Sequence, residues 1–206
     1  MIIEHDEVKL LPYDPLWKTE FEAAQAGLSQ TLNAKRLHPQ IIHVGSTAIV
    51  DMPAKPIIDI LILFSDEQAV SDCVSALIEK GITFLGDGGR QGRYFLVDET
   101  GAFPHHLHVT TEDNQVAKDQ LLFKSLLQGS DKIMQDYISI KLQAADAYPN
   151  DRTMYRYMKG SFIDAVLRAY ELGVQSNDCK AHAKIRSRQQ MNSDDFQVPK
   201  LIQKSR

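Results

Sequence analysis

Apolar and polar positions alternate along this chain with two different periods, and the period assigns the elements. Trp17, Phe21, Ala24 and Leu28 recur at spacings of four, three and four, which is one face of a helix. Asp14-Pro15 just before them is a helix start, since Asp caps and Pro is tolerated in the first turn, so a helix is predicted to run to about Leu32. Val8–Leu11, ended by Pro12, reads as a short strand before it. Ile41–Val44 is a second strand, interrupted by Gly45-Ser46-Thr47. Ile57–Phe64 is apolar on both faces apart from Asp59, the pattern of a central buried strand. Residues 66–80 predict an amphipathic helix ended by Gly81. Strands are expected at 82–85, 92–97 and 106–111, separated by Gly86-Asp87-Gly88-Gly89 and Thr100-Gly101. Helices are then expected at 115–128, 131–147 and 152–173, the last with Tyr155, Met158, Phe162, Val166 and Ala169 on one face. The predicted class is α+β: a mixed sheet with helices between its strands, followed by a helical C-terminal part.

Composition narrows the picture without changing it. The 206 residues are 43% hydrophobic and 24% charged, enough for one substantial core and too apolar for a wholly disordered chain. No apolar run approaches the length of a membrane span, and the acidic Met1–Asp6 is unlike a signal peptide, so a cytoplasmic protein with no membrane partner is expected. Cys73 and Cys179 are isolated, which excludes a disulfide scaffold or zinc ribbon. The net charge of −4 is uneven. Residues 175–206 carry seven Lys/Arg against three Asp, and residues 1–174 are strongly acidic. The domain is therefore placed at 1–174 and a basic, flexible tail at 175–206. The acidic body argues against a nucleic-acid binder, and the tail reads as a solvated appendage or as a contact for RNA or an acidic partner.

Two segments carry candidate chemistry. In the first, Gly45 removes a side-chain obstacle, and Ser46 and Thr47 offer hydroxyl donors to a ligand phosphate. Lys55 supplies charge nearby. Asp59, among Ile57, Ile58, Ile60 and Leu61, needs a partner, because an unpaired buried carboxylate costs several kcal/mol. It is the candidate catalytic carboxylate and a candidate ligand for a divalent metal, Mg²⁺ or Mn²⁺. The second segment is Pro104-His105-His106-Leu107-His108-Val109. His106 and His108 project from one strand face and are candidate metal ligands or phosphate donors. Arg93, beside the Gly-rich turn, is a candidate anion contact.

These pieces resemble the GrpB family of the nucleotidyltransferase superfamily. The matching runs are Leu11-Pro12-Tyr13-Asp14-Pro15-Leu16-Trp17 with Phe21, His43-Val44-Gly45-Ser46-Thr47-Ala48, Ala54-Lys55-Pro56-Ile57-Ile58-Asp59-Ile60 and His106-Leu107-His108-Val109. Tyr137, Lys141, Asp151-Arg152, Tyr155 and Lys159 follow in the late helices, so the resemblance covers about residues 8–170. It implies a nucleotidyltransferase-like fold, a nucleotide or other phosphorylated small molecule as ligand, and Lys141 and Lys159 as ligand-binding residues. Active members of the superfamily carry a second carboxylate two residues after the first and a third on a later strand. This chain has Leu61 at the second position and His106 or His108 on the candidate strand for the third. Two functions therefore stand side by side: metal-assisted transfer of a nucleotidyl group to a hydroxyl or amine, and a non-catalytic ligand-binding or scaffold protein on a degenerate fold.

Overall fold

Ile57–Phe64 is the most apolar stretch of the chain, and in the computed structural model, which describes residues 7–173, it supplies β2 (Ile58–Phe64) of a five-stranded sheet. β1 (Gln40–Val44) pairs antiparallel with it on one side. On the other side β5 (His105–Thr111) runs parallel to it, in register Asp59 to His106 and Leu61 to His108. β4 (Tyr94–Asp98) and β3 (Thr83–Phe84) complete the order β1-β2-β5-β4-β3, both antiparallel to their inner neighbours. The sheet is therefore mixed, with its one parallel pair at the centre.

The helices are α1 (Leu16–Ala34), α2 (Glu67–Glu79), α3 (Gln115–Gly129), α4 (Asp131–Ala147) and α5 (Arg152–Glu171). Local chemistry sets their starts. Asp14 Oδ1 accepts from Leu16 N, and the side chains of Asp66, Asn114 and Ser130 cap α2, α3 and α4. The expected elements are present within one to three residues at each end, except the strand at Val8–Leu11. That segment makes only an isolated bridge between Leu11 and Ala54, because Pro12 has no N–H with which to extend a ladder. The described chain falls into two compact units, one ending at Lys159 and one beginning at Gly160, with α5 running through the boundary. The basic tail expected at 175–206 lies outside the described residues. No helix among the described residues is long and apolar enough to cross a membrane.

Strand alternation gives the sheet of the first unit two unlike faces. Ile58, Ile60 and Ile62 point with Leu107, Val109 and Leu96 into the main core, closed by Trp17, Leu28 and Leu32 of α1 and Val70, Cys73 and Leu77 of α2. On the other face Val44, Leu61 and Leu63 pack on Ala117 of α3. Asp59, His106 and His108 lie on this second face, next to that smaller cluster. The C-terminal end of β1 and the Ser46–Ala48 3₁₀ turn meet β2 there, and Tyr155 packs with Val8 and Ala144 nearby.

Candidate functional site

The turn after β1 is shaped by its neighbour. Gly45 has φ of +72°, a conformation that a side chain disfavours. A Cβ on Gly45 would overlap Asp59 Oδ2 and lie 2.9 Å from Asp59 Cβ and Cγ. The space that glycine leaves is thus filled by the Asp59 carboxylate. The Ser46 hydroxyl is hydrogen-bonded to the phenol of Tyr137 on α4. Thr47 is spoken for differently: its hydroxyl donates to the Ile57 carbonyl at 3.0 Å, so it must accept from His43 Nε2, 3.1 Å away. Thr47 is 2% exposed and holds the turn to the start of β2. His43 belongs to the opposite, core side of β1, stacked on Phe21 at 4.7 Å. Burial and then the charge of Lys124 push its pKa down to about 4.

Asp59 has its partners. His108 Nε2 lies 3.4 Å and His106 Nδ1 3.5 Å from the same oxygen, Oδ1. Burial alone would raise the Asp59 pKa, but hydrogen bonding and charge from the two imidazoles outweigh it and hold the carboxyl well below the usual range. Arg93 sits 3.3 Å from His108 Nδ1 through Nη1. The hydrogen bonds then have one consistent direction: guanidinium donates to Nδ1, and Nε2–H donates to the carboxylate, which requires a neutral His108. Burial, only partly offset by Asp59, lowers the His108 pKa in agreement. Arg93 Nη2 also donates to the Asp87 carbonyl at 2.9 Å, tying down the glycine-rich β3–β4 loop. The third histidine of the run, His105, points to the other face and meets Glu20 Oε1 at 3.0 Å.

Around this trio lies a cleft of about 280 Å³. Six cationic side chains line it: Lys55, Arg93, Lys141, Arg152, Arg156 and Lys159. Asp59 is the one carboxylate among the lining residues. Lys141 is 1% exposed, donates to the Pro53 carbonyl and lies 5.4 Å above the Tyr137 ring. Burial, followed by the nearby charge of Lys159, pushes its pKa down to about 7. Lys159 lies 4.7 Å above the Tyr155 ring, and its pKa is lowered to about 8, again chiefly by burial. The structure thus brings Ser46, Thr47, Lys55, Asp59, Arg93, His106, His108, Lys141 and Lys159 to one cleft, with Gly45 packed against Asp59 beside it. Arg152, which the resemblance included without a role, and Arg156, which it did not include, line the same cleft. Their signal was a second stripe on α5, with 152, 156 and 159 spaced four and three, beside the apolar stripe.

The expected metal ligands Asp59, His106 and His108 stand side by side, each imidazole with a nitrogen 3.4–3.5 Å from Asp59 Oδ1. Among the described residues no group of three or more His, Cys, Asp or Glu is placed to hold a metal ion. Leu61, where a second acid would stand, is fully buried against α3.

The model of the GrpB protein family matches residues 7–169. The UPF0157 protein YqkA of Bacillus subtilis is 30% identical over 160 residues, covering 76% of this chain and 45% of that protein, so the chain spans less than half of that relative's length. The crystal structure of the conserved protein GrpB from Enterococcus faecalis superposes with a TM-score of 0.66 at 27% identity, covering 87% of this chain and 99% of that one. A structure of Cid1 in complex with its short product ApU follows at a TM-score of 0.47 and 16% identity, covering 71% of this chain and 48% of that one. With the family match running from before the first helix almost to the end of α5, the chain belongs to the GrpB family.

Proposed function

We propose that the cleft binds a nucleotide or another phosphorylated small molecule. The observation that carries this reading is the crowding of six cationic side chains around one carboxylate that is already paired with two histidines. Gathering like charges in a half-buried site is costly without an anion to neutralise them, and phosphate is the anion that Arg forks and Lys ammonium groups suit. Ser46 adds a hydroxyl beside them. A cleft of about 280 Å³ lies at the lower end of ligand pockets, which suits a phosphate-bearing group rather than a dinucleotide.

Whether the ligand reacts separates the enzyme from the binding protein. The resemblance to nucleotidyltransferases favours transfer of a nucleotidyl group, with Asp59 as its carboxylate. The buried Leu61, at the position of a second acid, favours binding without transfer, and we adopt that second reading.

The test is a thermal-shift screen of orthophosphate, pyrophosphate and the four nucleoside triphosphates. A ligand at about 100 times its Kd adds about 2.7 kcal/mol of stability. Incubation with α-labelled triphosphates and chromatography of the products then reads transfer. Stabilisation with no labelled product supports the binding reading. Transfer that is lost in Asp59→Asn would make the chain an enzyme, and no stabilisation by any phosphate would end the proposal.

A further inference from the structure

We infer that this cleft recognises its polyphosphate ligand as the metal-free anion and discriminates against the Mg²⁺ complex of the same molecule. The inference rests on the phosphate-binding reading above and names the species bound. Four observations converge on it.

First, the lining charge is lopsided. Lys55, Arg93, Lys141, Arg152, Arg156 and Lys159 oppose one acid, Asp59. A site that accepts a metal–phosphate complex supplies acids to hold the metal, and its field attracts divalent cations. Here the lining sets six basic side chains against one acid, a balance that disfavours a divalent cation.

Second, the one acid is engaged. Asp59 Oδ1 is shared by His106 and His108, and Oδ2 is packed against the backbone of Gly45. A metal at Oδ1 would have to compete with these imidazole contacts.

Third, the position of a second acid is occupied by Leu61, 0% exposed within an apolar cluster.

Fourth, the cations come from four separate segments: the loop before β2, the start of β4, α4 and the first turns of α5. They converge on one volume from several directions, as a wrap around a multiply charged anion requires. A single phosphate would not need so many. Arg93 in addition has a buried Nε with no hydrogen-bond partner among the described residues, a donor awaiting an acceptor at the cleft wall. In a metal-assisted site Mg²⁺ screens the phosphates. In this site the lysines and arginines take that role, so Mg²⁺ on the ligand removes the charge they recognise.

The experiment is isothermal titration of the full chain with inorganic tripolyphosphate and with ATP, each in EDTA and again with Mg²⁺ saturating the ligand. Tripolyphosphate is expected to bind in EDTA, and Mg²⁺ is expected to weaken both ligands by about tenfold, the loss of one to two water-screened charge contacts. Asp59→Asn removes the opposing charge and is expected to tighten tripolyphosphate binding in EDTA by about threefold. If that variant does not fold, the wild-type comparison decides alone. Binding that needs Mg²⁺, or that Mg²⁺ tightens, overturns the inference while leaving the phosphate reading intact. No binding of either ligand under either condition overturns both.

Discussion

Lys141 and Lys159 make ligand binding a proton-uptake reaction. Burial first, then the charge of Lys159 on Lys141 and those of Lys55, Arg156 and Arg152 on Lys159, holds their pKa values at about 7 and about 8 against the opposing pull of Asp59. At pH 7.5 the empty cleft therefore carries a proton on about a quarter of Lys141 and about three-quarters of Lys159, roughly one proton between them. An anion in the cleft favours the charged form of both amines and raises both values. Binding should then take up about one proton from solvent at pH 7.5 and only about a tenth of one at pH 6, where both lysines are already charged. Titration of tripolyphosphate in buffers of different ionisation enthalpy measures this directly. The slope of observed enthalpy against buffer ionisation enthalpy is the number of protons taken up. Affinity should fall as pH rises above about 7, by about tenfold per unit near pH 7.5, because the empty site then has to be protonated before it can bind. Lys141→Met should remove about three-quarters of the uptake at pH 7.5, since Lys141 is the more deprotonated of the two. Saturable binding with a slope of zero at pH 7.5 would refute the reasoning, showing that both amines stay fully charged in the empty cleft.

Other expectations concern the scaffold. Gly45→Ala should cost about 2–4 kcal/mol in urea denaturation, because it combines a φ of +72° with a collision against Asp59, whereas Gly27→Ala, with open space around it within α1, should gain about 0.5–1 kcal/mol. Thr47→Val should cost about 1–3 kcal/mol by leaving His43 Nε2 and the Ile57 carbonyl without their shared partner. His43 has its folded pKa lowered to about 4, so the unfolded chain binds the extra proton first and stability should fall by roughly 3 kcal/mol as pH drops from 6.5 to 4, a fall that His43→Gln should largely abolish. The Cys73 thiol, pushed up to about 12 by burial, should resist iodoacetamide at pH 8 in the native protein and react in urea, as read on its peptide by mass spectrometry.

The sheet was legible because its strands differ sharply in burial. Ile57–Phe64 announces a central strand, and the two-residue spacing of His106 and His108 places both on the face of Asp59, as found. A helix start was legible at Asp14-Pro15, where Asp14 Oδ1 accepts from Leu16 N. What a single sequence did not show was the choice among partners. Thr47 and Ser46 are neighbours with the same functional group, yet one hydroxyl faces His43 and Ile57 while the other faces Tyr137, a difference set by the 3₁₀ turn. Asp59 and two histidines on one face are equally compatible with a metal site and with an internal hydrogen-bonded cluster. Side-chain torsions decide between these, and they carry no periodic signal. Arg156 escaped notice, and Arg152 was named without a role, because the apolar stripe on α5 drew the assignment, although a helix presents two faces.

The burial of Leu61 also bears on the routes open to this protein over time. Leu61 packs with Val44, Leu63 and Ala117, so the residue that would carry a second acid is also a contact between the sheet and α3. Leu61→Asp would not merely add a functional group. It would place an unpaired carboxylate in that contact, at a cost of several kcal/mol, comparable with the entire stability of many domains. Gaining the second acid would require α3 to be repacked at the same time. Position 61 is thus tied to the sheet–α3 contact, whereas the cations of α4 and α5 lie outside that cluster and can change without disturbing it.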